Sequence, residues 1–222
     1  MKVTPDMFHT LFKAVHPIPP EISVVSTSSL YKYPARNLEL FKISKYIADG
    51  FEKICEVIPT VNEKWFYKNI NKKLMFSDHR SWVYFITIND EVVKCGETGN
   101  PLGIPQQYQA SARGLNGEVI IETQPIAGSR SRFGRLANAI NTKGRTGDTD
   151  VVLREEITPL MLQGSKVELW ARKCPIVEST PLMFLGKPVR ESTTIHKSLE
   201  VSYLEHFKAA AGCLPLFNKS TK

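Results

Sequence analysis

The chain has 222 residues, 42% of them hydrophobic, which suffices for a buried core in one domain of ordinary size or in a small domain with an extension. Its 29 Lys and Arg residues exceed its 22 Asp and Glu residues, and the net charge of +7 favours a polyanionic partner. Four scattered cysteines lack any CxxC pair, and the first residues lack a long apolar run, so neither a disulfide framework, a zinc site, a signal peptide nor a membrane span is indicated. We expect a soluble, cytoplasmic protein with no membrane partner.

Residues 1–79 are expected to form a mainly helical accessory region that supplies dimer contacts, DNA contacts or both. Apolar residues recur at helical spacing from Leu38 to about Val57, and Pro59 ends the run, so an amphipathic helix is predicted there. Residues 65–74 interleave aromatic side chains with lysines. That composition suits contact with a phosphate backbone, but a solvated helix packed by its aromatic residues explains it at least as well.

A β-hairpin is predicted from Trp82 to Thr98. Its first strand is rich in β-branched and aromatic residues, and Asn89-Asp90 supplies the turn before the chain returns. On the paired strands, Tyr84 and Lys94 are able to lie close together, a phenol beside an amine. An ordinary core hairpin has the same pattern, so the hairpin alone assigns no function.

Residues 99–129 contain much Gly and Pro and predict a long loop, with one strand near 119–123. A loop of this length in a compact domain is usually functional or mobile. Its Gln106, Gln107 and Arg113 are side chains able to read base edges in DNA, Gln toward adenine and Arg toward guanine. A polar surface loop explains these residues equally well.

Basic residues without acidic neighbours follow this loop. Between residues 123 and 147 they are Arg130, Arg132, Arg135, Lys143 and Arg145, a set suited to contact with DNA phosphates. A helix is predicted from Ser131 to Ile140, with Arg132 at the border of its apolar face and Arg135 further into solvent. A border position suits an arginine that must be held rigidly and still reach a phosphate.

The last predicted helix, from Leu199 to about Ala211, carries a carboxylate on its apolar face. At 100° per residue, Leu204, Phe207 and Ala211 all fall within about 40° of Glu200, whereas Glu205 falls at about 140°. A carboxylate among apolar side chains is costly unless it is paired or binds a metal. The periodicity therefore selects Glu200 over Glu205 as a functional residue.

The hairpin and the segments after it resemble the GIY-YIG nucleases. Val83-Tyr84 occupies the first half-motif and Lys94-Cys95-Gly96 the second, and Tyr84 and Gly96 keep the letters of the family. The similarity continues in order through residues 80–219, and it is greatest to the endonuclease II of T-even phages and to the type II restriction endonucleases of the family. The first 80 residues lie outside it.

The resemblance implies a role for five residues. Glu200 matches the glutamate that binds one Mg²⁺, for which Mn²⁺ is able to substitute, on the scissile phosphate. Arg132 matches the phosphate-binding arginine, Tyr84 the tyrosine that takes a proton from water, and Asn218 a supporting asparagine. Lys94 stands in the place of the second tyrosine, as in some restriction enzymes of the family.

Two departures from the family pattern leave alternatives open. The insertion at 99–129 lengthens the spacing between Gly96 and the arginine, so Arg130 or Arg135 is an alternative phosphate-binding residue. Leu136 stands where the family often has Tyr or His.

These observations predict a Mg²⁺-dependent endonuclease acting on double-stranded DNA with a sequence preference, in a bacterial or phage-infected cell. Three alternatives are a catalytically inactive DNA-binding module of the same fold, a structure-specific repair nuclease, and a PD-(D/E)xK nuclease using Asp90 and Lys94. Cutting both strands needs two such sites, so a homo-oligomer, a dimer or higher, is expected.

The predicted fold is α/β (α+β), with a small central sheet of three mixed or antiparallel strands flanked by helices. Residues 80–222 form the nuclease domain in this interpretation, with 1–79 as the extension. Its third strand, from Lys166 to Arg172, follows a helix from Val151 to about Leu162.

Overall fold

A computed structural model describes residues 38–61, 64–141, 148–178, 182–185, 187–189 and 192–219. The larger strands are β1 (Glu52–Pro59), β2 (Trp65–Asn69), β3 (Trp82–Ile88), β4 (Glu91–Thr98) and β7 (Val167–Lys173). The short strands are β5 (Ala110–Arg113), β6 (Val119–Glu122), β8 (Ile176–Glu178), β9 (Leu182–Phe184), β10 (Lys187–Val189) and β11 (Ser192–Thr194). The helices are α1 (Lys72–Met75), α2 (Arg132–Asn141), α3 (Asp148–Leu162) and α4 (His196–Ala211), preceded by the 3-10 turns Leu38–Phe41 and Ile43–Lys45.

The centre of the fold is an antiparallel five-stranded sheet in the order β2-β1-β7-β3-β4. The α+β class is confirmed, but the predicted count of three strands is too low. The three predicted strands are β3, β4 and β7, and the other two come from the region that was expected to be a helical extension. No helix among the described residues has both the length and the apolar character needed to span a membrane.

The prediction of one helix from Leu38 to Val57 is wrong. Two 3-10 turns occupy its first part, and Gly50, in the left-handed conformation with φ of 91°, separates them from β1. Strand β1 is rich in β-branched residues and pairs with β2 on one side and β7 on the other. Pairing across the sheet therefore determines its structure, in spite of the helical spacing of its apolar residues.

The predicted aromatic helix at 65–74 is also wrong, because its first half is strand β2. Trp65, Phe66 and Tyr67 are buried, and the α1 helix begins only at Lys72. Packing of three consecutive large rings into the core leaves them unavailable for contact with a phosphate backbone.

Two apolar clusters cover the two faces of the sheet. Tyr84 and Ile86 of β3 belong to the cluster that includes residues of α2 and α3, whereas Val83 and Phe85 belong to the cluster that includes residues of α4 and the 3-10 turns. This alternation is the two-residue period of a strand. Helices α2 and α4, which carry Arg132 and Glu200, therefore pack on opposite faces of the β3–β4 hairpin.

Both edge strands of the sheet are capped by a side-chain amide. On β2, the Gln124 amide accepts from Tyr67 N at 2.9 Å and donates to Tyr67 O at 2.7 Å. On β4, the Asn218 amide accepts from Cys95 N and donates to Cys95 O, both at 2.8 Å. In each case one side chain makes the two hydrogen bonds that the next strand of a sheet would make.

Candidate active site

The centre of the site is the contact between Tyr84 of β3 and Gly96 of β4. The two residues are cross-strand partners, and the Tyr84 ring lies over Gly96 so closely that a Cβ atom at Gly96 would overlap its hydroxyl oxygen and ring carbons. Glycine is therefore required at this position by the path of the phenol. The close approach gives a physical reason for the Tyr and Gly of the two half-motifs.

Arg132 contacts the Tyr84 phenol through a hydrogen bond and through the face of its ring. Its Nε donates to the Tyr84 hydroxyl at 2.8 Å, and its guanidinium carbon lies 5.1 Å from the centre of the ring. The Tyr84 side chain is buried and Arg132 is half-buried. A fixed cation that donates to the phenol oxygen stabilises negative charge on that oxygen, as a proton acceptor requires.

The start of α2 fixes the position of Arg132. The backbone N–H groups of Arg132 and Phe133 donate to the carbonyls of Pro101 and Leu102, which follow β4, at 2.9 and 2.8 Å. The Ser131 hydroxyl accepts from Gly134 N, as an N-terminal cap does. Arg130 and Arg135, by contrast, are exposed.

Lys94 lies on the same side of β4 as Gly96, one diagonal step from Tyr84. It pairs with Ile86 in the register, is 8% exposed, and donates from Nζ to the carbonyl of Phe217 at 3.3 Å. The segment at 217–218 therefore borders the site, because it contacts both Lys94 and the backbone of Cys95.

Glu200 reaches β4 from the opposite face. Burial raises the pKa of the Cys95 thiol, the Glu200 carboxylate raises it further, and Lys94 opposes the rise, so both charges act on this one position of β4. Glu200 is half-buried, whereas Glu205 is exposed, as the periodicity predicts. The five predicted site residues thus come from β3, β4, α2, α4 and the segment after α4, around residues 94–96 of the edge strand.

A polar cluster beside Glu200 was missed at the level of sequence. His196, one helical turn before Glu200, is 4% exposed, with its Nε2 3.1 Å from Glu97 Oε2 and its Nδ1 3.3 Å from Ser81 Oγ. The feature of the sequence that could have identified His196 is its spacing of four residues from Glu200, which places both on one stripe of α4.

The residues predicted to contact DNA fall into four groups. Arg130 and Arg135 are exposed around the start of α2, while Lys143 and Arg145 lie outside the described residues. Gln107 and Arg113 are exposed in the insertion. Gln106 is half-buried and lines, together with Arg113, a groove of about 550 Å³ beside β2.

The insertion is more regular than the predicted loop. It contains the expected strand, β6, and also β5, which pairs with it as an antiparallel ribbon. In the paired register Ser111 faces Ile121 and Arg113 faces Val119, and these four side chains form the exposed face of the ribbon.

Asp90, the residue required by the PD-(D/E)xK alternative, lies in the tight turn of the hairpin. Asn89 and Asp90 have positive φ angles of 49° and 66°, as in a type I′ turn. The Asn89 backbone N–H donates to Lys166 O, and its side chain accepts from Lys166 N. The turn conformation is a sufficient reason for Asp90 to be at this position.

Glu200 is the carboxylate that the sequence selects as a metal ligand. Among the described residues there is no group of three or more His, Cys, Asp or Glu side chains able to hold a metal ion. Mg²⁺ commonly uses one or two carboxylates together with substrate phosphate oxygens and water, so a single half-buried Glu200 is compatible with it.

Comparison with known proteins found structural similarity. No family model and no curated protein matches the sequence. The fold is similar to that of a point mutant of bacteriophage T4 EndoII, with 21% identity over 79% of this chain and 95% of that one and a TM-score of 0.48. It is also similar to restriction endonuclease HPY188I in complex with product DNA, with 16% identity over 92% of this chain and 98% of that one and a TM-score of 0.43.

Proposed function

We propose that this protein is a Mg²⁺-dependent endonuclease that hydrolyses phosphodiester bonds in double-stranded DNA. The observation that carries the proposal is the Tyr84–Arg132 pair over Gly96. An ordinary hairpin core has no evident need for a phenol that is hydrogen-bonded to a cation and packed against a glycine. The same arrangement provides a proton acceptor beside a group that binds phosphate.

Each side chain has a distinct part in the proposed hydrolysis. Tyr84, as its phenolate, accepts a proton from the attacking water while the water oxygen bonds to phosphorus, and Arg132 stabilises the charge on the phosphate oxygens. Lys94 adds positive charge on the same side of β4. Glu200 would hold Mg²⁺, which when bound neutralises charge on the phosphate and on the leaving 3′-oxygen. The P–O3′ bond breaks and the leaving oxygen takes a proton from solvent water, which yields a 5′-phosphate and a 3′-hydroxyl.

DNA contact is proposed for the basic surface that leads to this site. Arg130 and Arg135 flank the half-buried Arg132 and are exposed, so they are available to phosphates on either side of the scissile one. Arg113 and Gln107 of the insertion are exposed and are proposed to read bases. Because each site has one proton acceptor, cutting both strands requires two copies of the chain or two successive nicks.

A plasmid assay tests the proposed function. Supercoiled DNA should be nicked in the presence of Mg²⁺ and remain intact with EDTA. Glu200→Gln should bind DNA but not cut it, because it removes a carboxylate ligand with little change of shape.

Glu205→Gln is the matched control on the exposed side of the same helix and should cut normally. Cleavage by Glu200→Gln at the wild-type rate, or no cleavage of any DNA by the wild type with Mg²⁺ or Mn²⁺, would refute the proposal.

A further inference from the structure

The imidazole of His196 contacts both sides of the open end of the β3–β4 hairpin. Ser81, which contacts Nδ1, immediately precedes β3, and Glu97, which contacts Nε2, is near the end of β4. Gly99 packs against the ring, since a Cβ there would lie 3.3 Å from His196 Cε1. Both ring nitrogens are thus engaged, and the ring lies in a slot that the two ends of the hairpin form.

The first turn of α4 is held by apolar contacts as well as by His196, because Ile195 and Leu199 are half-buried and pack against the apolar cluster of this face. Ile195 makes no side-chain cap to the helix among the described residues, and β8 to β11 separate the helix from the main sheet in sequence. The buried apolar residues of α4 are Tyr203, Leu204, Phe207 and Ala211, all of which lie after Glu200. Along the helix, Glu200 therefore lies between the contacts of His196 before it and the buried apolar residues after it.

The stripe that begins at His196 also contains Glu200. Residues four apart lie one above the other on a helix, so a shift of the His196 turn moves the Glu200 carboxylate with it. Groups that orient a metal ligand through hydrogen bonds typically affect metal affinity by 10–100-fold when they are removed.

We propose that Glu97, His196 and Ser81 form a clamp that positions Glu200 for metal binding, with the Glu97–His196 contact as its principal element. These three are positioning residues, because they act through the helix and not on the substrate. This inference rests on the proposed function of Glu200. It assigns the clamp a role in the affinity of the site for Mg²⁺ and not in the proton transfer at Tyr84.

Two substitutions of His196 separate its two contacts. The amide of Gln lies near the position of Nε2, so His196→Gln is able to keep a donor toward Glu97, whereas His196→Asn places its amide near Nδ1 and keeps only the contact with Ser81. His196→Asn and Glu97→Ala should raise the Mg²⁺ concentration at half-maximal nicking by about tenfold or more. His196→Gln should stay close to the wild type.

Amide hydrogen exchange gives a second readout that needs neither metal nor DNA. In His196→Asn and Glu97→Ala, the amides of Leu199 and Glu200 should exchange at least about tenfold faster than in the wild type, because the first turn opens locally. At saturating Mg²⁺ the nicking rate should remain within about threefold of the wild type, because Tyr84 and Arg132 are untouched.

Phe207→Leu is the matched control for a loss of stability in the same helix. Phe207 is fully buried and stacks on Phe41 with ring centres 5.0 Å apart, two turns after Glu200. This variant should lower the melting temperature without changing the Mg²⁺ midpoint. If Phe207→Leu shifts the midpoint as much as His196→Asn at an equal loss of melting temperature, the role of the clamp is only structural and the inference fails.

Gly99→Ala provides a milder test if His196→Asn does not fold. The added methyl group presses on the imidazole, while the backbone of Gly99 needs no positive φ. It should shift the Mg²⁺ midpoint in the same direction. An unchanged midpoint in both Gly99→Ala and Glu97→Ala, or a loss of rate in Glu97→Ala that saturating Mg²⁺ does not restore, overturns the positioning role.

A wild-type enzyme that nicks DNA while the clamp variants behave normally would refute this inference and leave the proposed function intact. A wild-type protein that never nicks DNA would refute the proposed function itself.

Discussion

Gly96→Ala should abolish the proposed nicking activity by adding a single methyl group. The added Cβ would overlap the hydroxyl oxygen, Cζ and Cε1 of Tyr84, which form the rigid end of an aromatic ring. The ring has little room to turn away, because it is 3% exposed and makes an edge contact with Phe133 at 6.2 Å between ring centres. Either the phenol or strand β4 must therefore shift, and the Arg132–Tyr84 hydrogen bond is lost or lengthened.

The expected cost has a structural and a catalytic part. Overpacking of a buried contact destabilises a protein by about 1–3 kcal/mol, which thermal melting detects as a fall of several degrees in Tm. Displacing Tyr84, the proposed proton acceptor, from Arg132 should reduce nicking by about 100-fold or more at saturating DNA and Mg²⁺. The rate loss should exceed what the unfolded fraction explains, since most of the protein remains folded at the assay temperature.

A double mutant tests the source of the effect. Tyr84→Phe removes the hydroxyl oxygen, one of the atoms that the new Cβ would overlap, so Gly96→Ala should destabilise the Tyr84→Phe protein less than the wild type. The coupling between the two sites should be about 0.5–3 kcal/mol, as expected for residues in contact. Additive stability losses, or a Gly96→Ala enzyme with wild-type rate and Tm, would refute the proposed overlap.

Three further outcomes are expected. Arg132→Ala should reduce the nicking rate by more than about 100-fold, whereas Arg135→Ala should chiefly weaken binding and flatten its salt dependence; equal rate losses at saturating DNA would contradict the choice of Arg132. Replacing residues 111–121 with Asn-Gly should leave a folded enzyme that nicks DNA without sequence preference, as judged by sequencing the cut ends, and an unchanged motif would move recognition elsewhere. Asn218→Asp removes the donor to Cys95 O, so it should lower the melting temperature and weaken the contact between Lys94 and the neighbouring Phe217 carbonyl.

The boundaries for the 111–121 replacement follow from the structure. Leu102 is buried and accepts from Phe133 N, and Gln124 caps β2, so both must be kept. Ala110 and Glu122 are cross-strand partners, and a two-residue turn is able to join them.

Local signals predicted the second half of the fold well. The hairpin turn, the α2 and α3 helices, strand β7 and the last helix follow from a turn dipeptide, helical spacing and strict alternation. Gly164 and Gly212, with φ of 92° and 80°, lie just after helices α3 and α4, where the left-handed conformation ends a helix.

The first half was predicted poorly because its structure depends on distant partners. Strand β1 pairs with β2 and β7, and its burial does not alternate cleanly, since the adjacent Ile54 and Cys55 are both buried. Ile47, which was assigned to the apolar face of a helix, is 52% exposed. The spacing of apolar residues within a segment does not show which distant strands the segment pairs with.

The site was only partly accessible from sequence for the same reason. Glu200 was selected by periodicity, and Tyr84 and Arg132 by resemblance, since nothing local relates residues 48 positions apart. Their hydrogen bond exists because α2 begins against Pro101 and Leu102. His196 and Ser81, 115 positions apart, contact each other for a comparable reason, as the first turn of α4 packs on the base of the hairpin.

The capped edges of the sheet constrain how this protein can assemble. With Asn218 occupying the backbone groups of Cys95, a second copy cannot extend the sheet at β4 without first displacing residues 217–218. A dimer is therefore expected to form through helices, loops or the β5–β6 ribbon. Removal of residues 217–219 by proteolysis would uncover the strand that carries Lys94 and Gly96. The cut would then leave an unpaired strand edge open to strand exchange and aggregation.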